Sequence, residues 1–146
     1  MTENLAGALR AVAEQVVSEA AESVRGRQIE MSGTSGTPVA AMRTKSSPTD
    51  PVTVVDTETE QLIRTRLAQL RPGDAILGEE GGTETVDRGA VRWAVDPIDG
   101  TVNFIYGIPA YAVSVAAQLN GDSVAGAVAD VAGGDVYSAG LGLGAH

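Results

Sequence analysis

The sequence predicts an α/β fold in which helices pack on a mostly antiparallel sheet. Three observations carry this. Two early segments repeat apolar residues at helical spacing. The last third alternates strand-like runs with tight-turn pairs. Between them a short apolar run, Val91–Val95, leads into an acidic bend that contains a proline.

Taken in order, Leu5, Leu9, Val12, Val16, Ala20 and Val24 form an apolar stripe. Glu3, Glu14, Glu19 and Glu22 fall largely off it, so residues 3–25 read as an amphipathic helix. Met31–Pro51 is rich in Ser, Thr, Gly and Pro, has no period, and reads as a long loop, of the kind that in compact domains is often functional or mobile. It contains Lys45, the only lysine of the chain. Thr53–Leu70 reads as a second helix with Val55, Leu62, Ile63, Leu67 and Leu70 on its apolar side. Thr53 and Asp56 fit a capping box at its start, and Arg71-Pro72-Gly73 ends it.

Ala75-Ile76-Leu77 is a short buried strand that runs into Gly78-Glu79-Glu80-Gly81-Gly82. A polar loop over 83–90 precedes the strand Val91–Val95. Tyr111–Leu119 and Ser123–Asp130 are strands joined by Asn120-Gly121, a strong hairpin signal. Gly133-Gly134 permits a further reversal before Val136-Tyr137-Ser138. The meander is small and apolar, with Val113, Val115, Val124 and Val128 expected opposite Ala116, Ala125, Ala127 and Ala129. That is the pattern of a sheet covered on both faces, for which two helices are too few.

Composition narrows the chemistry. A chain of 146 residues with 43% hydrophobic content can bury a real core. There is no cysteine, which removes disulfides, thiolate metal sites and a cysteine nucleophile. The one histidine is His146, which argues against a Ser-His-Asp triad or a His-ligated zinc. A net charge of −9 disfavours nucleic acid and anionic membranes as partners. With no membrane-length apolar run, a cytoplasmic protein is expected.

The most informative stretch is Asp96-Pro97-Ile98-Asp99-Gly100-Thr101-Val102-Asn103. Two carboxylates stand on one bend, with Pro97 pushing Asp96 toward extended backbone. Their mutual repulsion is relieved by hard cations that share oxygen ligands. Gly100 and Thr101 offer backbone N–H groups at an expected helix start, a place suited to an anion. Cations beside an anion cradle point to phosphate chemistry. An all-oxygen donor set selects Mg²⁺, Mn²⁺ or Ca²⁺. The plainer alternatives are that Asp56 is only a capping acid, Glu80 a solvated neighbour of Glu79, and Thr101 a helix N-cap. Gly78–Gly82 is not followed by a lysine, so it is not a P-loop.

Lys45-Ser46-Ser47-Pro48-Thr49-Asp50-Pro51-Val52-Thr53 with Asp56, then Gly78-Glu79-Glu80, then residues 96–103 together carry a resemblance. In order and spacing the chain resembles the inositol monophosphatase family of Mg²⁺-dependent, lithium-sensitive phosphatases, and its mycobacterial-type members in particular. The resemblance implies a phosphatase that hydrolyses a small phosphate ester such as inositol 1-phosphate with metal-activated water.

It further implies that Glu79, Asp96 and the backbone carbonyl of Ile98 hold a first Mg²⁺. Asp96 and Asp99 would hold a second, and Glu79 would contact a third, weaker one. Thr101 and Asp56 would position and activate the attacking water, with Glu79 also in the catalytic set. Glu79, Ile98, Asp99, Gly100 and Thr101 would line the substrate, the Gly100 and Thr101 amides touching phosphate. Lys45 would sit on a loop that closes over the site.

The same resemblance implies that residues 1–146 are the N-terminal, metal-binding half of an α-β-α-β-α layered fold, without the C-terminal half. That half would bring a further aspartate to the second metal, in a Trp-Asp motif, and most contacts to the substrate ring. A full-length homodimer is expected. The rival readings are a related sugar, histidinol or nucleotide phosphatase, and an inactive fragment that acts only as a binding partner.

Overall fold

The apolar stripe of the first segment forms helix α1, Glu3–Ser32, and that of the second forms α2, Pro51–Leu70. In this computed structural model the described residues are 3–32, 51–78 and 86–146. Strands follow as β1 (Ala75–Leu77), β2 (Val91–Asp99), β3 (Ala112–Leu119), β4 (Asp122–Asp130), β5 (Val136–Gly140) and β6 (Gly144–Ala145). A short helix α3, Thr101–Tyr106, lies between β2 and β3. The six strands form one sheet in chain order. β1 and β2 are parallel and every other pair is antiparallel.

Both long helices lie on one face of the sheet, α1 across β3, β4 and β5 and α2 against β2. Leu9, Val16, Val17, Ala20 and Val24 of α1 are fully buried there, as are Val55 and Ile63 of α2. They meet Trp93 and Val95 of β2 and Val113 and Val115 of β3 in one core. Polar ties fix the helices in place. Arg66 of α2 holds Glu19 of α1 with Nε–Oε2 at 2.7 Å. Arg25 donates from Nε and Nη2 to the Val131 carbonyl at 3.0 and 2.8 Å. Arg10 Nε and Glu14 meet the buried Ser138 hydroxyl of β5.

Several expectations are corrected. α1 continues past residue 25 to Ser32. Arg27 pairs there with Glu30 and with Glu58 of α2, and Met31 packs on the core. Of the expected loop 31–51, residues 31–32 belong to α1 and Pro51 opens α2. Residues 33–50, with Lys45, lie outside the described residues. α2 starts at Pro51, whose fixed φ suits a first helical turn, so Thr53 and Asp56 stand inside the helix and form no capping box.

The strand faces also differ. Val113, Val115 and Ala117 of β3 pair with Ala129, Ala127 and Ala125 of β4, all six toward the helices. Val128 faces the other way with Ala116, and a register shift after Ala117 buries both Val124 and Ala125. The expected cover of both faces is not found among the described residues. On the far face Val128 is 41% and Tyr137 57% exposed.

Candidate functional site

β2 runs through the acidic bend instead of ending at Val95. Asp96 pairs with Ser114 and Asp99 with Ala112, so Pro97 and Ile98 together oppose the single residue Val113. This is a bulge, which bends a strand and re-aims its side chains. Proline is tolerated because β1 pairs with β2 only as far as Ala94. Pro97 and Ile98 are both buried, whereas Asp99 emerges exposed at the strand's end.

Gly100 then caps α3 in the left-handed region, with φ 95° and ψ 41° and no side-chain cap. A β-carbon there would stand 2.8 Å from the Ala110 carbonyl, so both backbone and space require glycine. Thr101 is thus the first helical residue and not the N-cap. α3 is only six residues long and is held from both ends. Asn103 Nδ2 donates to the Ala110 carbonyl at 2.8 Å, and Ile108 N to the Asn103 carbonyl at 2.9 Å. Phe104, fully buried, meets the Tyr111 ring edge-on with centroids 5.1 Å apart. Phe104→Ala is therefore expected to cost about 3–5 kcal/mol, read as a lower urea midpoint, because it empties the anchor under Gly100 and Thr101.

The sequence-predicted acids are placed as follows. Asp56 lies on α2, which packs on β2 and touches α3. Asp56 and Asp96 each have one carboxylate oxygen, Oδ1, sealed from solvent. Asp56 is not a cap, since α2 begins five residues before it. Asp99 and Gly100 border an open cavity of about 490 Å³ with Asn103, Tyr111, Asp130 and Tyr137.

Glu79 and Glu80 lie outside the described residues. Among the described residues no three His, Cys, Asp or Glu side chains come close enough together to hold a metal ion. The donors present are all oxygens, with two carboxylate oxygens already withdrawn from water, and that set suits a hard cation.

Asp130 and Tyr137 were not singled out by the sequence. Their place follows from register: Asp99 pairs with Ala112, and Ala112 with Asp130. Asp130 also shapes the following turn, its Oδ1 accepting the Gly133 N–H at 3.0 Å. Burial pushes the Tyr111 hydroxyl above its ordinary pKa, with Arg25 opposing the shift and Asp130 adding to it. Among the described residues no helix is long and apolar enough to cross a membrane.

Comparison with known proteins adds the family. The description of the inositol monophosphatase family matches residues 2–146. The inositol-1-monophosphatase of Mycobacterium bovis is 64% identical, over 94% of this chain and 50% of that protein. A histidinol-phosphatase of Chlorobaculum parvum is 40% identical, over 65% of this chain and 36% of its own length. Among solved structures, Mycobacterium tuberculosis SuhB superimposes with a TM-score of 0.75 at 59% identity, covering 94% of this chain and 46% of that one. A 2'AMP-bound SaIMPase-II superimposes with a TM-score of 0.74 at 31% identity, covering 95% of this chain and 47% of that one. The chain thus spans about half the length of the relatives it matches. With a family match that runs along nearly its whole length, the chain belongs to the inositol monophosphatase family.

Proposed function

We propose that this chain is the metal-binding half of a Mg²⁺-dependent phosphomonoesterase acting on a small phosphate ester such as inositol 1-phosphate. The observation that carries the reading is the bulge in β2. It sets Asp96, Ile98 and Asp99 on one bend, immediately before the left-handed Gly100 and beside the helix that bears Asp56.

Asp96, with Glu79 and the Ile98 carbonyl, would hold one Mg²⁺, and Asp96 with Asp99 a second. The bulge supports the role of Ile98, because neither it nor Pro97 has a paired residue across the ladder. When bound, the ions lower the pKa of a water molecule and draw charge from the leaving oxygen. The Thr101 hydroxyl orients the attacking water, and Asp56 accepts its proton. The Gly100 and Thr101 amides hold the phosphate, their geometry set by the left-handed turn.

Thr101→Ala, made in a protein of the relatives' length, tests this. The expected result is a fall in kcat of about 100-fold with little change in KM, since water placement matters chiefly in the transition state. A large rise in KM at unchanged kcat contradicts the assignment. The second reading, a histidinol or nucleotide monoesterase, is favoured by a relative named histidinol-phosphatase and by a neighbour solved with 2'AMP. Phosphate release from inositol 1-phosphate, histidinol phosphate and 2'-AMP, compared by kcat/KM, separates the two.

A further inference from the structure

We propose that Asp130 is a specificity-determining residue, its carboxylate accepting a hydrogen bond from a hydroxyl of the leaving alcohol. The inference rests on the reading above, in which the Gly100 and Thr101 amides hold the phosphate. It adds a contact to the alcohol from within residues 1–146.

The position of Asp130 follows from the ladder. Asp99 pairs with Ala112 and Ala112 with Asp130, and directly paired residues share a face of the sheet. Asp99 and Asp130 therefore stand two strand spacings apart, about 10 Å between backbones, with the small Ala112 between them. Both border the cavity of about 490 Å³ that also touches Gly100. An ester held by its phosphate at Gly100 thus has its alcohol beside this cavity. Among the described residues two carboxylates line it and no lysine or arginine does. Such a space repels a second phosphate on the alcohol. Hydroxyls suit it, because they donate and an ionised carboxylate only accepts.

The carboxylate is held in place before any ligand arrives. Its Oδ1 accepts the Gly133 N–H at 3.0 Å. The turn is closed by Asp130 N to the Asp135 carbonyl and Gly134 N to the Asp130 carbonyl, both at 2.8 Å. Arg25 clamps the same turn from α1 by donating Nε and Nη2 to the Val131 carbonyl. A β-carbon at 133 would collide with Asp130 Oδ2 and stand 2.9 Å from its Cγ. Gly133 is not in the left-handed region, so glycine serves here for room and not for conformation. Capping the turn uses one oxygen of Asp130, and the other lies over a residue with no side chain to cover it. An acceptor ordered in advance loses little freedom when it binds.

The test is steady-state kinetics in a protein of the relatives' length, with inositol 1-phosphate compared against 4-nitrophenyl phosphate, whose leaving group carries no hydroxyl. Thermal melts confirm that each variant folds. Asp130→Asn keeps the oxygen that caps the turn and removes the charge of the other. It should raise the KM for inositol 1-phosphate about 10-fold relative to that for 4-nitrophenyl phosphate, with kcat little changed, since a hydrogen bond to a charged acceptor is roughly twice as strong as a neutral one. Gly133→Ala keeps the charge and pushes the carboxylate off the turn, and it should shift the same ratio in the same direction.

If both variants leave the ratio within twofold while inositol 1-phosphate is still hydrolysed, Asp130 is only a turn cap and the phosphatase reading stands. A shift in Asp130→Asn with none in Gly133→Ala would show a diffuse effect of charge and no bond, and would overturn the role. So would a larger loss on histidinol phosphate than on inositol 1-phosphate, because the carboxylate would then be pairing with an ammonium group. If the unaltered protein releases phosphate from none of these esters, the phosphatase reading falls and the role of Asp130 with it.

Discussion

Asp96→Asn, in a protein of the relatives' length, is expected to lower activity at limiting Mg²⁺ by more than about 100-fold, beyond the 10–100-fold usual for outer partners of a metal ligand. Asp96 is the one acid that the proposed function shares between two cations, so replacing it weakens both positions. Its backbone is held by the pairing with Ser114, and its Oδ1 is sealed from solvent. Asparagine keeps the size and one acceptor oxygen, and the strand should persist. The loss is therefore expected in metal affinity, with the melting temperature in metal-free buffer little changed. Part of the activity should return at high Mg²⁺. Wild-type activity in this variant at limiting Mg²⁺ would show that Asp96 does not bridge.

The contrast with Asp99 follows from the same geometry. Asp99 is exposed and belongs to one proposed cation only, so Asp99→Asn should be the milder of the two.

What was legible in the sequence was local. The stripe through Leu9, Val16, Ala20 and Val24 and the Asn120-Gly121 turn each need only neighbours a few residues away. The structure puts Asn120 at φ 54° and Gly121 at φ 89°, as a tight hairpin with both central residues left-handed requires. The acids of the octapeptide were legible as a group because few other roles use that order of residues.

What was not legible depends on distant partners. The extra turns of α1 after Gly26 break the apolar stripe and are held by Glu58 of another helix. The apolar run ends at Val95, and only the early end of β1 explains why β2 continues past Pro97. β4 is apolar at both parities, so its faces are assigned by register with β3. Asp130 joins Asp99 only through two successive strand pairings.

Residues 1–146 expressed alone are expected to be a poor phosphatase, roughly 100-fold or more below a protein of the relatives' length, since misplacing reacting groups by even an ångström has that effect. Two arguments lead there. First, the resemblance assigns the second cation an aspartate from outside residues 1–146, and within them Asp96 and Asp99 would hold that cation with too few oxygens. Their own repulsion then favours its loss. Second, among the described residues nothing covers the far face of the sheet. Val128 and Tyr137 pair across β4 and β5 and are 41% and 57% exposed, beside Ser114, Ala116 and Ala139. An apolar sheet surface of this kind favours self-association. Light scattering on the purified chain should thus report species larger than a monomer. Val128→Lys, which places a charge in the middle of the open face, should shift them toward monomer without lowering the melting temperature. It should not restore activity, because residues 1–146 alone would still not supply that aspartate. Monomeric and fully active wild-type material, assayed with inositol 1-phosphate and Mg²⁺ beside the longer protein, would show that the site is completed within residues 1–146 and that the open face is a true surface.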